Sequence, residues 1–303
     1  MISLFQIQIL LTLLHTDAFF LNRPTVSAYN TGVATARNGI CASFDRMRDV
    51  GSYIATQTAP YKTEDVLCLF DLDMTLTQPD HPAAYIPNLK KHLDIYRSIQ
   101  SRYPKLDTCL TFCFNFLLPQ RLTDNDILSV LASLKMKTIA FTATVTGGFL
   151  GTRMEVKRYE DLKRLGLSFE HAFPQSEVIL NACPQYRGYY PTYYKGILFS
   201  NSERGNTTKG TVLCAFLKTV GYTPKCIILV DDRPKNHADV QASLAQTFPE
   251  TKYIGIEFNG AANYCPKEIS AEDFEAFYAD HFERASKLAN ADTNTPAAEG
   301  DLF

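Results

Sequence analysis

The chain has 303 residues, 46% hydrophobic and 20% charged, which suffices for one large α/β domain or for a core carrying a smaller insert. A net charge of -2 with no lysine or arginine cluster argues against nucleic acid as a partner, because neutralising several phosphates needs a concentrated basic surface. Eight cysteines without a C-x-x-C pair or a histidine at ligand spacing exclude the usual zinc patterns.

In chain order, the apolar stretch from Ile2 to Leu14 is interrupted by His15 and Asp17 before it is long enough to cross a bilayer, so no integral membrane segment is expected. Val26 to Ala28 would suit a signal cleavage site, but the basic region that precedes one is missing. Residues 1–28 are read as an amphipathic first helix with a cytoplasmic location, export being the alternative. Ser43 to Thr58 has helical periodicity, and "DVLCLF" at 65–70 is a continuous apolar run ended by Asp71, the pattern of a parallel strand buried on both faces.

From 79 to 137 the apolar spacing is helical and no strand pattern appears, which predicts an inserted helical unit of about sixty residues. Within it Cys109 and Cys113, four apart, are read as core packing rather than a disulfide, and Thr123 and Asp126 as helix-start residues. "TIAFTAT" at 138–144 is a second strand with Thr142 near its end, followed by Gly147 and Gly148 at a turn and the helix "RMEVKRYEDLKRLGL". The tyrosine-rich stretch at 186–194 suggests a hairpin. "KGTVLCAFLKTVGY" reads as a helix capped by Thr207 or Thr208 and closed by Gly221. "CIILVDD" then repeats the opening pattern, an apolar strand ended by Asp231 and Asp232, before another helix and the strand "KYIGIEF". Alternation of strand and helix predicts a doubly wound parallel sheet with its ligand at the carboxyl ends of the strands. The expected division is a core of 29–78 and 138–289, the helical insert at 79–137 and a flexible tail at 290–303.

Three strand ends thus supply Asp71 and Asp73, then Thr142, then Asp231 and Asp232, with Lys209 opening the helix before the third. Hard carboxylate oxygens suit Mg²⁺. One carboxylate can attack phosphorus, a second can protonate the leaving oxygen and later activate water, and a hydroxyl and an ammonium can hold phosphoryl oxygens. Lys195 competes with Lys209 for that last role, His81 is read as a surface residue, and Arg233 and Asn236 either fix their loop or touch substrate.

"DLDMTLT", "FTAT", the lysine of "TKG" and "LVDDRPKN", in this order, resemble the four motifs of the haloacid dehalogenase (HAD) superfamily of phosphohydrolases. The resemblance implies a Rossmannoid core with the insert as a helical cap. It also implies a Mg²⁺-dependent phosphatase acting on a phosphorylated small molecule or a phosphoprotein through an aspartyl-phosphate. By motif, Asp71 matches the nucleophile and a metal ligand, Asp73 the acid/base that also lends its main-chain carbonyl to the metal, and Thr142 and Lys209 the phosphate-binding pair. Asp231 matches a direct metal ligand, with Asp232 acting through water or on Lys209. The helix before the first motif and the segment "GILFSN…TKG" resemble a bacterial branch of unknown function found in host-associated bacteria. The alternatives are a phosphotransferase or phosphoprotein phosphatase acting on a host protein, and an interaction protein that retains the scaffold.

Overall fold

In the computed structural model the described residues are 39–104, 118–149, 152–204, 207–264 and 267–292. Strand β1 (Ile40–Phe44) and helix α1 (Met47–Thr58) precede β2 (Val66–Phe70), in which every residue is buried. Then come β3 (Thr77–Pro79), α2 (Ile86–Lys91), α3 (Leu93–Ser101), β4 (Gln120–Leu122), α4 (Ile127–Ser133) and β5 (Lys137–Thr142). The two-residue strands β6 (Gly148–Phe149) and β7 (Thr152–Arg153) precede α5 (Met154–Arg164), β8 (Glu177–Ile179), β9 (Thr192–Tyr194) and β10 (Ile197–Phe199). The chain continues through α6 (Lys209–Val220), β11 (Cys226–Asp231), α7 (Pro234–Thr247), β12 (Lys252–Phe258) and α8 (Ala271–Asp292).

The main sheet has eight strands in the order β1-β12-β11-β2-β5-β10-β9-β8. The run from β1 to β10 is parallel, and β9 and β8 extend it antiparallel. This is a mixed α/β fold with a large, mostly parallel central sheet. Period-two alternation sends Val66, Cys68 and Phe70 of β2 into one apolar cluster with α1, α4 and α5, and Leu67 and Leu69 into another with α6 and α7. Each fully buried aliphatic or aromatic side chain contributes about 1.5–3 kcal/mol from removal of apolar surface from water, which the ordering entropy of the chain then largely offsets. Gly210 allows α6 to approach α7, since a Cβ there would lie 2.2 Å from the Asp239 carbonyl oxygen.

Several boundaries differ from the sequence reading. β1 was not anticipated; it occupies Ser43 and Phe44, so the first helix starts at Met47, because pairing with β12 satisfies the backbone of this stretch. The insert does contain a strand: β4 pairs antiparallel with β3, Gln78 opposite Arg121, and three residues are too few to show a period. Helix α4, assigned to the insert, buries Ile127 and Val130 in the core against α1. Its N-cap position is Asp126, while the Thr123 hydroxyl donates to the Thr75 carbonyl. Helices α2 and α3 and the turn before α2 pack instead on α8, with Ala83, Ile99, Phe274, Tyr278 and Phe282 buried and Leu89 of α2 against them, a cluster separate from the sheet. The tyrosine stretch does form a hairpin with β10, turning at Lys195 and Gly196. Cys109, Cys113, the first 28 residues and the tail beyond 292 lie outside the described residues. No described helix is long and apolar enough to cross a membrane.

Candidate functional site

The chain adds β5 and β10 on one side of β2 and then crosses to the other for β11 and β12, so the winding direction reverses between β2 and β11. At such a reversal the loops leaving the two strands part in opposite directions and open a crevice at their carboxyl ends. Asp71 follows β2 directly and Asp231 ends β11, and the Asp71 amide is anchored on the Val230 carbonyl at 2.8 Å. Topology alone therefore brings these two carboxylates together.

Lys209 is the first residue of α6, started by a reciprocal Thr208–Thr211 capping box. Its side chain is fully buried, with Nζ 2.6 Å from Asp71 Oδ1, 2.7 Å from Asp231 Oδ2 and 2.8 Å from the Phe141 carbonyl. These acceptors use all three of its protons. Lys195 is elsewhere, with its ammonium 4.4 Å from the centre of the Tyr159 ring. Asp231 is held further by Asn236, whose amide lies 2.9 Å from both carboxylate oxygens, and by the Arg233 main-chain amide. The Arg233 side chain pairs with Glu203, and His237 bridges the Asp231 carbonyl and the Tyr253 hydroxyl. His81 stacks on Phe277 and caps a short turn by accepting from the Ala83 amide.

Asp71, Asp231 and Asp232 offer one oxygen each, all within 4.8 Å of one another. The buried Lys209 ammonium pairs with Asp71 and Asp231, while Asp232 Oδ1 is buried with no hydrogen-bond partner among the described residues. Burial pushes the Asp71 carboxyl well above its ordinary range, with Lys209 opposing and the other aspartates adding. Burial and the neighbouring Asp231 push Asp232 up to about 7. Burial also works against ionisation of Asp231, but Lys209, then His237 and the Arg233 main-chain amide, overcome it and hold its carboxyl low. Burial alone would discharge Lys209, yet Asp231 and Asp71 keep it above the ordinary lysine value. A cluster with this excess of buried negative charge and an orphaned oxygen is suited to a cation.

The Asp73 carboxylate is not part of that cluster. Met74 takes a positive φ of 66° and the chain doubles back, its amide bonded to the Thr77 carbonyl at 2.7 Å. Asp73 Oδ2 accepts from the Thr142 and Thr144 hydroxyls, each at 3.2 Å, and Oδ1 lies 2.7 Å from a nitrogen of Arg158. Arg158 and Thr144 were not singled out from the sequence. Arg158 sits in a charge-rich helical segment that reads as solvated, and only its position on α5 facing the sheet reveals it.

An α/β protein with a carboxylate–lysine cluster at the switch point of its sheet is the class that fold and site define. The chain belongs to the family described as "Protein of unknown function (DUF2608)", which matches residues 43–292. It is similar to an uncharacterised protein of Rickettsia bellii, 25% identical over 216 residues that cover 66% of this chain and 70% of the relative. An uncharacterised protein of Rickettsia typhi is 23% identical over 220 residues, 69% of this chain and 73% of its own.

Proposed function

We propose that this protein is a HAD-type phosphohydrolase that cleaves a phosphate monoester through an aspartyl-phosphate on Asp71. The observation that carries the reading is the buried Lys209 ammonium shared by Asp71 and Asp231 at the reversal point of the sheet. Burying a lysine so placed is costly, but it can hold a phosphoryl oxygen next to an attacking carboxylate.

In the first step an Asp71 carboxylate oxygen forms a bond to phosphorus while the bond to the leaving oxygen breaks, and Asp73 supplies the proton that the leaving oxygen takes. In the second, Asp73 removes a proton from water as its oxygen attacks phosphorus, and Asp71 departs as the carboxylate. To hold phosphoryl oxygens, Lys209 exchanges one of its three present acceptors and Thr142 its bond to Asp73 for them. The donor set fits Mg²⁺: Asp71, Asp231 and Asp232 would hold it, with the Asp73 main-chain carbonyl completing the set that the motif implies. When bound, the ion supplies positive charge against the phosphoryl group and offsets the excess of buried carboxylate.

The test is hydrolysis of 4-nitrophenyl phosphate with and without Mg²⁺ by the wild type and a folded Asp71→Asn variant. Metal-dependent turnover that disappears in Asp71→Asn is expected. Turnover that persists in the variant would overturn the nucleophile assignment.

A further inference from the structure

Arg158 is 0% exposed, in the middle of α5, on a helix rich in charged residues. Burying a guanidinium is costly unless an opposite charge and hydrogen bonds meet it, so a buried arginine marks a place where its charge is used. It pairs with the Asp73 carboxylate at 2.7 Å and makes a longer contact of 3.4 Å to the Thr77 hydroxyl. Arg158 therefore ties α5, which follows the loop carrying Thr144, to the loop that carries Asp73.

The two oxygens of Asp73 meet different chemistry. Oδ1 faces a guanidinium, which has protons to donate and no lone pair to accept one. Oδ2 faces the hydroxyls of Thr142 and Thr144, which also lie 2.8 Å from each other, so either can turn and accept where it had donated. A proton on Oδ1 would collide with Arg158, whereas a proton on Oδ2 keeps a partner.

We propose that Arg158 is a positioning residue that occupies Oδ1 and thereby makes Oδ2 the oxygen of Asp73 that exchanges the proton. This rests on the phosphohydrolase reading. In the first step Oδ2–H gives its proton to the leaving oxygen as the phosphorus–oxygen bond breaks and the electron pair stays on that oxygen. In the second step Oδ2 recovers a proton from the attacking water. Without Arg158 only the two threonine hydroxyls hold the carboxyl, Oδ1 loses its donor, and the proton can be presented from either oxygen.

The dependence of rate on the leaving group separates this role from a purely structural one. A nitrophenolate departs with little help, whereas a phenolate needs the proton more. Four proteins are compared by kcat/KM on 4-nitrophenyl phosphate and phenyl phosphate: the wild type, Arg158→Met, Arg158→Lys and Asp73→Asn. Thermal denaturation of each establishes that it is folded. Arg158→Met is expected to lose about 10-fold or more on phenyl phosphate and clearly less on the nitrophenyl ester, with the same bias as Asp73→Asn, where the loss is about 10²-fold or more. Arg158→Lys restores part of the phenyl phosphate rate, and Arg158→Met added to Asp73→Asn costs nothing further. Equal losses on both esters in Arg158→Met, beside a biased loss in Asp73→Asn, would overturn the positioning role and leave the phosphohydrolase reading standing. Wild-type turnover that does not depend on Asp71 would overturn both.

Discussion

The switch-point cluster and the seam between α2, α3 and α8 are both well buried, yet they are built on opposite principles. The seam joins Phe274, Tyr278 and Phe282 to Ala83, Ile99 and Tyr96, with ring centres 4.8–5.6 Å apart. The Tyr278 hydroxyl, its polar end, donates to the Ala83 carbonyl. The cluster gathers three carboxylates within 4.8 Å of one another, two of them on one buried ammonium, an arrangement that packing alone would never favour. Burial at the seam serves stability. Burial at the cluster costs stability, and the proposed chemistry would account for that cost.

Substitutions should therefore act with opposite sign in the two regions. The largest expected effect is on turnover: Asp71→Asn should lower phosphate-ester hydrolysis by about 10⁴-fold or more, since loss of a nucleophile removes the covalent route. At the seam, Phe274→Ala should cost about 3–5 kcal/mol of stability, seen as a drop in Tm on the order of 10 °C. A shift of less than 1 °C would mean that the seam is not a cooperative part of the fold.

The seam also carries a pH response. His281 is pushed down to about 4, by burial first and then by Arg284 and His81. An unfolded histidine titrates near 6.5, so between these values the unfolded chain binds more protons. The stability is present above pH 6.5 and is lost as pH falls toward 4, by roughly 3 kcal/mol at most. His281→Gln should flatten the fall in Tm between pH 7 and pH 4.5, and an unchanged fall would remove His281 from the account. The smallest effect sharpens the comparison most. Asp71→Asn, although inactive, should raise stability by about 1 kcal/mol, because one of three crowded carboxylates is gone. A lower Tm in that variant would contradict the claim that the cluster is maintained against stability.

The carboxylates of the cluster, and Thr142 beside it, were legible in the sequence because they follow apolar runs: Asp71 after "VLCLF", Thr142 at the end of "TIAFT", Asp231 after "CIILV". A strand terminus fixes where a side chain stands, and parallel strands place their carboxyl ends along one edge. Lys209 and Lys195 could not be separated that way. Both lie between the same motifs, and only the capped start of α6 brings Lys209 to the aspartates. Arg158 was hidden because a lone arginine on a charged helix has no periodic signature, and its burial depends on the distant Asp73. The pairing of α2 and α3 with α8 was hidden for a related reason. Amphipathic faces reveal that a helix packs, and not against which partner nearly two hundred residues away.

The central claim is that Asp71 becomes covalently phosphorylated. Acid-quenching the wild-type protein during turnover of an aryl phosphate with Mg²⁺, followed by mass spectrometry of the peptide spanning Val66 to Thr77, tests it directly. The expected result is the added mass of one phosphoryl group on Asp71, absent in Asp71→Asn and in protein quenched without substrate. Steady turnover with that peptide unmodified, or with the phosphoryl group on another residue, would contradict the account.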